Sequence, residues 1–175
     1  MNKNILVRTE SPADIIAIHK INVLAFGRPN EADLVEALRK NARPFLSLVA
    51  VLENRAVGHI CFSPVSIESG DGPTAALGLA PMAVLPEYQR QGIGTRLIRE
   101  GMEACRRVNH PVIFVLGHPD FYSRFGFVPA SSKGLRCEYP VPDNVFMVAE
   151  LTHGALEGRK GLVKYRSEFP QINEI

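Results

Sequence analysis

Two glycines, Gly92 and Gly94, stand at the point where the sequence predicts that a helix begins. Glycine costs about 1 kcal/mol in a helix interior, so two of them within three positions need a physical reason. The first turn of a helix carries backbone N–H groups without intrahelical partners, and the helix dipole makes that end positive. Positions without side chains let an anion approach those N–H groups, and Arg90 and Arg96 add positive charge nearby. The stretch is therefore predicted to bind a phosphate group.

The segment before these glycines supports the same prediction. Met82, Ala83 and Val84 end an apolar run, and Pro86 stops the strand because proline has no N–H to donate. A dinucleotide fingerprint would need a third glycine and a later acidic residue, and a P-loop would need Gly-Lys-Ser/Thr. The sequence here has neither pattern. A glycine-rich strand-to-helix turn that binds no ligand is the remaining alternative.

A second group of candidate residues follows an apolar strand predicted at 111–116. His118 precedes Pro119 at the end of this strand, where ligand-binding groups gather in open sheets. A short helix from Pro119 ends at Gly126, which suits a C-cap. Tyr122 lies in this helix, and a phenol with an ordinary pKa of about 10 can act as a proton donor. Taken alone, Tyr122 is better explained by packing at a helix terminus, and His118 is explained equally well by a structural role.

The elements that must position these residues follow from hydrophobic periodicity and turn signals. Ser11 is predicted to cap the first helix and Gly58 to mark a bulge. A strand, helix and strand across residues 74–116 predict that the fourth and fifth strands are parallel. The helices are expected at about 12–26, 31–40 and 92–107, with a short one from Pro119. The strands are expected at about 4–8, 46–52, 56–67, 74–84, 111–116, 146–151 and 161–165.

The composition limits the possible functions. A chain of 175 residues with 22% charged residues and a net charge of +2 predicts one α/β domain over residues 1–175. The small net charge argues against nucleic acid as a partner, and no apolar run is long enough for a membrane span. Three widely spaced cysteines, Cys61, Cys105 and Cys137, predict a reduced, cytoplasmic protein, and no His/Cys spacing predicts a metal site.

Two motifs resemble those of the GNAT superfamily, the Gcn5-related N-acetyltransferases. The first is Q-x-x-G-x-G, formed by Gln89, Gly92 and Gly94, and the second is F-Y-x-x-x-G-F, which contains Tyr122. Segments 129–131, 134–139 and 146–151 resemble the YhbS-like branch of that superfamily. The resemblance covers nearly the whole chain.

The resemblance implies a mixed, mostly antiparallel sheet of about six to seven strands with about four helices, in which strands four and five splay apart. It implies acetyl-CoA as co-substrate and no metal, with Tyr122 protonating the departing CoA thiolate. Phe26, Arg28, Glu31 and His118 would lie near the acceptor, although a solvated loop explains Arg28 and Glu31 as well. The residues that would bind acetyl-CoA are Met82, Ala83, Val84, Gln89, Arg90, Gln91, Gly92, Ile93, Gly94 and Thr95.

The implied reaction moves an acetyl group from acetyl-CoA to a primary amine of a small molecule or a protein, by direct attack in a ternary complex. A catalytically silent acyl-CoA-binding sensor and a scaffold subunit are the alternatives, and a homodimer is compatible with the resemblance. Many relatives place a glutamate base on the fourth strand, but the corresponding position falls near Gly78. Glu31, His118 and Asp120 are the other candidates for the base.

Overall fold

The computed structural model describes residues 4–170. The chain divides into two compact units, one formed by Met1–Phe62 and Ala80–Ala104 and the other by Ser63–Leu79 and Cys105–Ile175. The third and fourth strands of the chain are long, and each contributes one part to the first unit and one part to the second. We describe the units separately, and the prediction of one domain over residues 1–175 stays a prediction.

The first unit consists of a sheet and three helices. The strands are hydrogen-bonded in the order β1-β2-β3-β4, and β1 with β2 and β2 with β3 are antiparallel. A register shift between Ala50 and Val51 places a bulge beside Gly58, as the sequence predicted. The strands are β1 (Leu6–Thr9), β2 (Leu46–Leu52), β3 (Arg55–Ser69) and β4 (Gly72–Val84), and the helices are α1 (Ile15–Phe26), α2 (Asn30–Asn41) and α3 (Ile93–Arg107).

Local capping explains where the first helical region begins and ends. The backbone N–H and the hydroxyl of Ser11 both donate to a carboxylate oxygen of Asp14, at 2.7 and 2.9 Å. Pro12 opens a single 3-10 turn that leads into α1, because proline at this position loses no helical hydrogen bond. Gly27, with φ +70°, ends α1 in the left-handed conformation that glycine adopts readily.

Helix α3 packs closely against the sheet of the first unit. Its buried face includes Ile93, Leu97, Ile98 and Cys105, so the prediction that Cys105 belongs to the core is confirmed. A Cβ at Gly58 would stand 3.0 Å from side-chain atoms of both Ile93 and Leu97. The bulge glycine is therefore what allows the first turn of α3 to approach β3.

The second unit is built around β5 (Val112–Leu116). It pairs in parallel with Leu77–Leu79 of β4 and antiparallel with β8 (Phe146–Glu150). The predicted mixed, mostly antiparallel fold class with parallel fourth and fifth strands is therefore confirmed. The remaining elements are the short helix α4 (Pro119–Tyr122) and the strands β6 (Val128–Pro129), β7 (Leu135–Cys137) and β9 (Gly161–Lys164).

Short strand pairings complete the second unit. β6 pairs with β8, and β9 pairs in parallel with β7 and antiparallel with the end of β3. The described residues thus contain nine strands, because β6 and β7 add to those expected from the sequence. The predicted loop at 68–73 is shorter than expected: β3 runs to Ser69, β4 begins at Gly72, and the Ser69 hydroxyl donates to the Gly72 carbonyl at 3.1 Å.

Three properties of residues 4–170 bear on the compositional predictions. None of their helices is both long and apolar enough to cross a bilayer. No cluster of His, Cys, Asp or Glu within them could hold a metal ion. The cysteines are free, with Cys61 and Cys105 buried and Cys137 half-buried.

Candidate active site

The turn between β4 and α3 is held in shape by its own side chains. The Leu85 N–H donates to the Val57 carbonyl at 2.9 Å, which fixes the end of β4 to β3. The side-chain amide of Gln89 donates to the Val84 carbonyl at 3.0 Å, and that of Gln91 donates to the Glu87 carbonyl at 3.0 Å. Both glutamines, predicted to bind the cofactor, thus bind the backbone of the turn that would carry it.

The first turn of α3 presents backbone N–H groups that are not used within the fold. At this end of the helix the Arg96 N–H donates to the Gly92 carbonyl at 3.1 Å. Within residues 4–170, no acceptor binds the N–H groups of Gly92, Ile93 and Gly94. Three consecutive amides at the positive end of a helix form a site suited to an anion.

Backbone geometry explains why glycine precedes this helix. Gly92 has φ +85°, a conformation that costs other residues roughly 1 kcal/mol or more, and a Cβ at this position would meet no atom within 4 Å. Arg90 also has a positive φ, +59°, and its side chain is exposed beside the turn. Ile93 is buried and anchors the turn, while Thr95 is half-buried. An anion could therefore reach the amides over Gly92 from the solvent.

Arg96 does not add to this site as the sequence suggested. Its guanidinium Nη2 donates to the Ile5 carbonyl at 3.1 Å, so the side chain reaches toward the start of β1. The remaining predicted cofactor residues of the first unit are at the end of β4. Ala83 is buried, whereas Met82 and Val84 are half-buried on the other face of the strand, as the alternation of a pleated strand requires.

Three residues predicted near the acceptor lie where α1 is connected to α2. Phe26 ends α1 with 40% of its surface exposed. Arg28 and Glu31 form an ion pair with each other, with 2.5 Å between Nη2 and Oε1, and Arg28 Nε also donates to Oε1 at 3.1 Å. The ion pair favours the structural explanation that the sequence left open for Arg28 and Glu31.

Tyr122 in the second unit combines a buried ring with an available hydroxyl. The residue is 8% exposed, and its ring makes edge contacts with Phe121 and Phe127 at centroid distances of 5.0 and 5.6 Å. Burial raises the pKa of Tyr122 to about 12. Among the described atoms, the hydroxyl has no hydrogen-bond partner and is not one of the buried polar atoms left without one. It is therefore a protonated donor that is open to an incoming group.

His118 lies at the start of the same helix. Its backbone carbonyl accepts the N–H groups of Phe121 and Tyr122, both at 3.1 Å, and its imidazole is exposed. The backbone of His118 thus positions Tyr122, and this short element brings together His118, Tyr122 and the exposed Asp120, the three predicted site residues of the second unit.

The position of the missing strand carboxylate is filled by other side chains. A Cβ at Gly78 would lie 2.9 Å from Val65 Cγ1 and 3.2 Å from Tyr165 Cε1. Tyr165, just after β9, is thus packed where a longer side chain at 78 would have to go. The sequence could show that no carboxylate is present at 78, but not that a residue 87 positions later takes its place.

Comparisons with known proteins agree with this geometry. A family described as Acetyltransferase (GNAT) domain matches residues 44–129. The uncharacterized N-acetyltransferase YhbS of Escherichia coli K12 is 36% identical over 165 residues, which cover 94% of this chain and 98% of that protein.

Two solved structures are similar over almost their whole length. The crystal structure of Escherichia coli YhbS in complex with CoA has a TM-score of 0.87 and 34% identity, covering 94% of this chain and 91% of that one. A GNAT family acetyltransferase of Brucella melitensis in complex with acetyl-CoA has a TM-score of 0.77 and 31% identity, covering 97% and 100%.

Proposed function

The chain belongs to the GNAT acetyltransferase family, and from that premise we propose that it transfers the acetyl group of acetyl-CoA to a primary amine within a ternary complex. The neutral amine nitrogen attacks the thioester carbonyl carbon, so that a C–N bond forms and the C–S bond breaks. The amine loses a proton to solvent, and the departing CoA thiolate gains one. We also propose that residues 1–175 act as one domain, and a homodimer stays a prediction.

The observation that carries the proposal is the row of unused amides at Gly92, Ile93 and Gly94. The diphosphate of acetyl-CoA has the charge that these N–H groups and the helix dipole favour. Gln89 and Gln91 hold the turn ready, which reduces the ordering cost of binding. The CoA and acetyl-CoA complexes of the two similar structures support the same ligand for this chain.

The thioester end of acetyl-CoA needs two further contributions. The edge of β4 at Met82–Val84 would bind the pantetheine, and a backbone N–H there would stabilise the developing oxyanion, worth about 3 kcal/mol. Tyr122 would protonate the thiolate, which is a good leaving group because an ordinary thiol has a pKa of about 8.5. We therefore expect Tyr122 to accelerate the reaction without being indispensable.

One observation favours a second function. Gly78 carries no carboxylate and Tyr165 fills the adjacent space, so a side-chain base on β4 is ruled out within the second unit. A module that binds acyl-CoA without transferring the group would tolerate this. Thiol release from acetyl-CoA in the presence of a panel of amines separates the two functions.

The binding site itself is tested by two substitutions of equal size at the turn. Gly92→Asp places a carboxylate at the amides, whereas Gly92→Asn imposes nearly the same backbone strain and bulk without charge. We expect Gly92→Asp to weaken acetyl-CoA affinity, measured by calorimetry, at least about tenfold more than Gly92→Asn does. Equal affinities in the two variants would contradict the assignment of these amides to the diphosphate.

A further inference from the structure

A cavity of about 240 Å³ lies within the second unit, in the segment between β6 and β8. Its apolar wall is buried or half-buried, and its polar side chains include two opposite charges at the exposed rim. None of its lining residues was predicted from the sequence to be a site residue. The lining side chains that matter here are Leu135, Val141 and Phe146 on the apolar side and Arg136, Tyr139 and Asp143 on the polar side.

The cavity and Tyr122 are built on the same end of β5. Phe146, which lines the cavity, is paired with Leu116, the last residue of β5. The next residue, Gly117, donates its N–H to the Val145 carbonyl at 3.0 Å, and the Tyr122 ring lies against Gly117. The cavity is therefore connected to the segment that carries the proposed proton donor through the paired ends of β5 and β8.

Another lining residue, Tyr139, connects the cavity to the position of the missing carboxylate. The Tyr139 ring lies 5.6 Å from the Tyr165 ring, centroid to centroid, and Tyr165 covers Gly78 of β4. Burial raises the pKa of Tyr139 to about 12, so its hydroxyl stays a hydrogen-bond donor at neutral pH. The wall that replaces the strand carboxylate is thus aromatic and uncharged.

The two rim charges do not neutralise each other. In the described part of the chain, neither the Arg136 guanidinium nor the Asp143 carboxylate makes an ion pair or a side-chain hydrogen bond. An arginine and an aspartate close enough to pair usually do so bidentately. Because both residues line one small cavity without pairing, both charges are available to a molecule that carries a carboxylate and an ammonium group.

We propose that this cavity binds the acceptor and that the acceptor is a free α-amino acid with an apolar side chain. The proposal rests on the acetyl transfer proposed above. Arg136 binds its carboxylate, Asp143 binds its ammonium group before the proton is lost to solvent, and Leu135, Val141 and Phe146 contact its side chain. The nitrogen then attacks the thioester as above, giving an N-acetylamino acid and CoA. A volume of about 240 Å³ is below that of pockets for drug-sized ligands and suits so small a molecule.

Matched acceptors test the carboxylate contact. Thiol release is measured at saturating acetyl-CoA with L-leucine, L-methionine and L-phenylalanine, each against its amide, and with a short peptide. We expect a kcat/KM at least about tenfold higher for each acid than for its amide. A preference for the amides or for the peptide would overturn the inference.

Matched variants test the residues. Arg136→Gln should remove the preference for the acid over the amide, and Asp143→Asn should raise KM for the acid about tenfold. Lys133→Gln removes an exposed cation that does not line the cavity and should change neither value. An unchanged preference in Arg136→Gln would overturn the role of that residue and with it the inference.

Binding of L-leucine without acetyl-CoA, followed by amide chemical shifts, separates the two proposals. Shifts confined to residues 131–146 support the cavity even in a preparation that fails to bind acetyl-CoA, which would contradict the proposed function alone. Normal acetyl-CoA binding with no response to any of the three amino acids would overturn the cavity and leave the proposed function standing.

Discussion

The ring of Tyr122 lies on the α-carbon of Gly117, where β5 ends and α4 begins. A Cβ at Gly117 would stand 2.8 Å from Tyr122 Cδ2 and closer still to Cε2, which real side chains do not tolerate. The lack of a side chain at 117 is therefore part of what positions the tyrosine. Gly117 is half-buried and has no positive φ, so the requirement here is space and not backbone conformation.

Gly117→Ala should move the Tyr122 ring and lower both turnover and stability. Overpacking of this kind costs roughly 1–3 kcal/mol, and a displaced hydroxyl would no longer meet the leaving thiolate. We expect kcat to fall about tenfold or more, with the KM for acetyl-CoA nearly unchanged, in steady-state thiol-release assays.

Gly70→Ala is the matched control, because a Cβ there would meet no atom within 4 Å and its φ is not positive. It should match the unmodified protein in both stability and turnover. If Gly117→Ala behaved like Gly70→Ala, the contact between Gly117 and Tyr122 would not position the tyrosine.

Tyr122→Phe should lower turnover with little change in stability. The hydroxyl makes no hydrogen bond to a described residue, so its removal leaves no buried group unpaired. Loss of a general acid typically costs 10²- to 10⁴-fold, and we expect about the lower value because the thiolate is itself a good leaving group. Rapid-quench turnover and urea unfolding measure the two effects, and equal turnover would remove Tyr122 from the mechanism.

The pKa of Tyr122 makes a separate prediction about alkaline pH. Burial raises this pKa to about 12 from an ordinary value of 10, so the folded state favours the protonated phenol. The resulting stability is fully present below about pH 10 and is lost as the pH rises toward 12. Because the two proteins should be about equally stable near neutral pH, Tyr122→Phe should become the more stable of the two over that range, measured by urea unfolding. A difference independent of pH would contradict the raised pKa.

Local signals account for what the sequence predicted well. The start of α3 at Gly92 and Gly94 could be predicted because backbone N–H groups left accessible at the start of a helix depend on only a few consecutive residues. Gly126, which has φ +87° and ends the 3-10 turn Ser123–Phe125 that follows α4, was recognisable for the same reason. Other contacts join residues far apart in the chain, so no local pattern predicts them. Examples are the pairing of β7 with β9 and the packing of Tyr165 on Gly78.

The buried polar network around His59 is another feature that no local pattern predicts. His59 is fully buried, its Nε2 lies 2.9 Å from the Ser47 hydroxyl, and its Nδ1 lies 3.2 Å from the Asn22 amide nitrogen. Ser47 donates to Glu10, which also accepts from Arg39 at 2.6 Å. Because Ser47 donates to Glu10, it accepts from Nε2–H of His59, and Nδ1 accepts from Asn22. These bonds suit a neutral imidazole.

Acid should weaken the fold through His59. Burial, the largest effect, lowers the pKa of His59 to about 3 from 6.5, so below about pH 6.5 the unfolded chain takes up a proton that the folded chain does not. Stability should then fall by up to about 1.4 kcal/mol per pH unit from this residue alone. Urea midpoints between about pH 7 and pH 4 should show a shallower dependence for His59→Gln than for the exposed control His153→Gln. Parallel curves for the two variants would show that His59 does not titrate as its burial requires.

Gly78→Glu tests whether β4 has room for a carboxylate at this position. Its Cβ would contact Val65 and Tyr165 too closely, and the charge would be buried beside apolar side chains, so we expect a loss of more than about 3 kcal/mol in urea unfolding and no gain in acetylation. Gly78→Ala, with the same Cβ and no charge, should cost roughly 1–3 kcal/mol.

Because Tyr165 occupies the space, adding Tyr165→Ala should cost less in the Gly78→Glu background than in the unmodified chain, which a double-mutant cycle measures. A Gly78→Glu protein that folded normally and acetylated amines faster would mean that Tyr165 does not hold the place of the strand base.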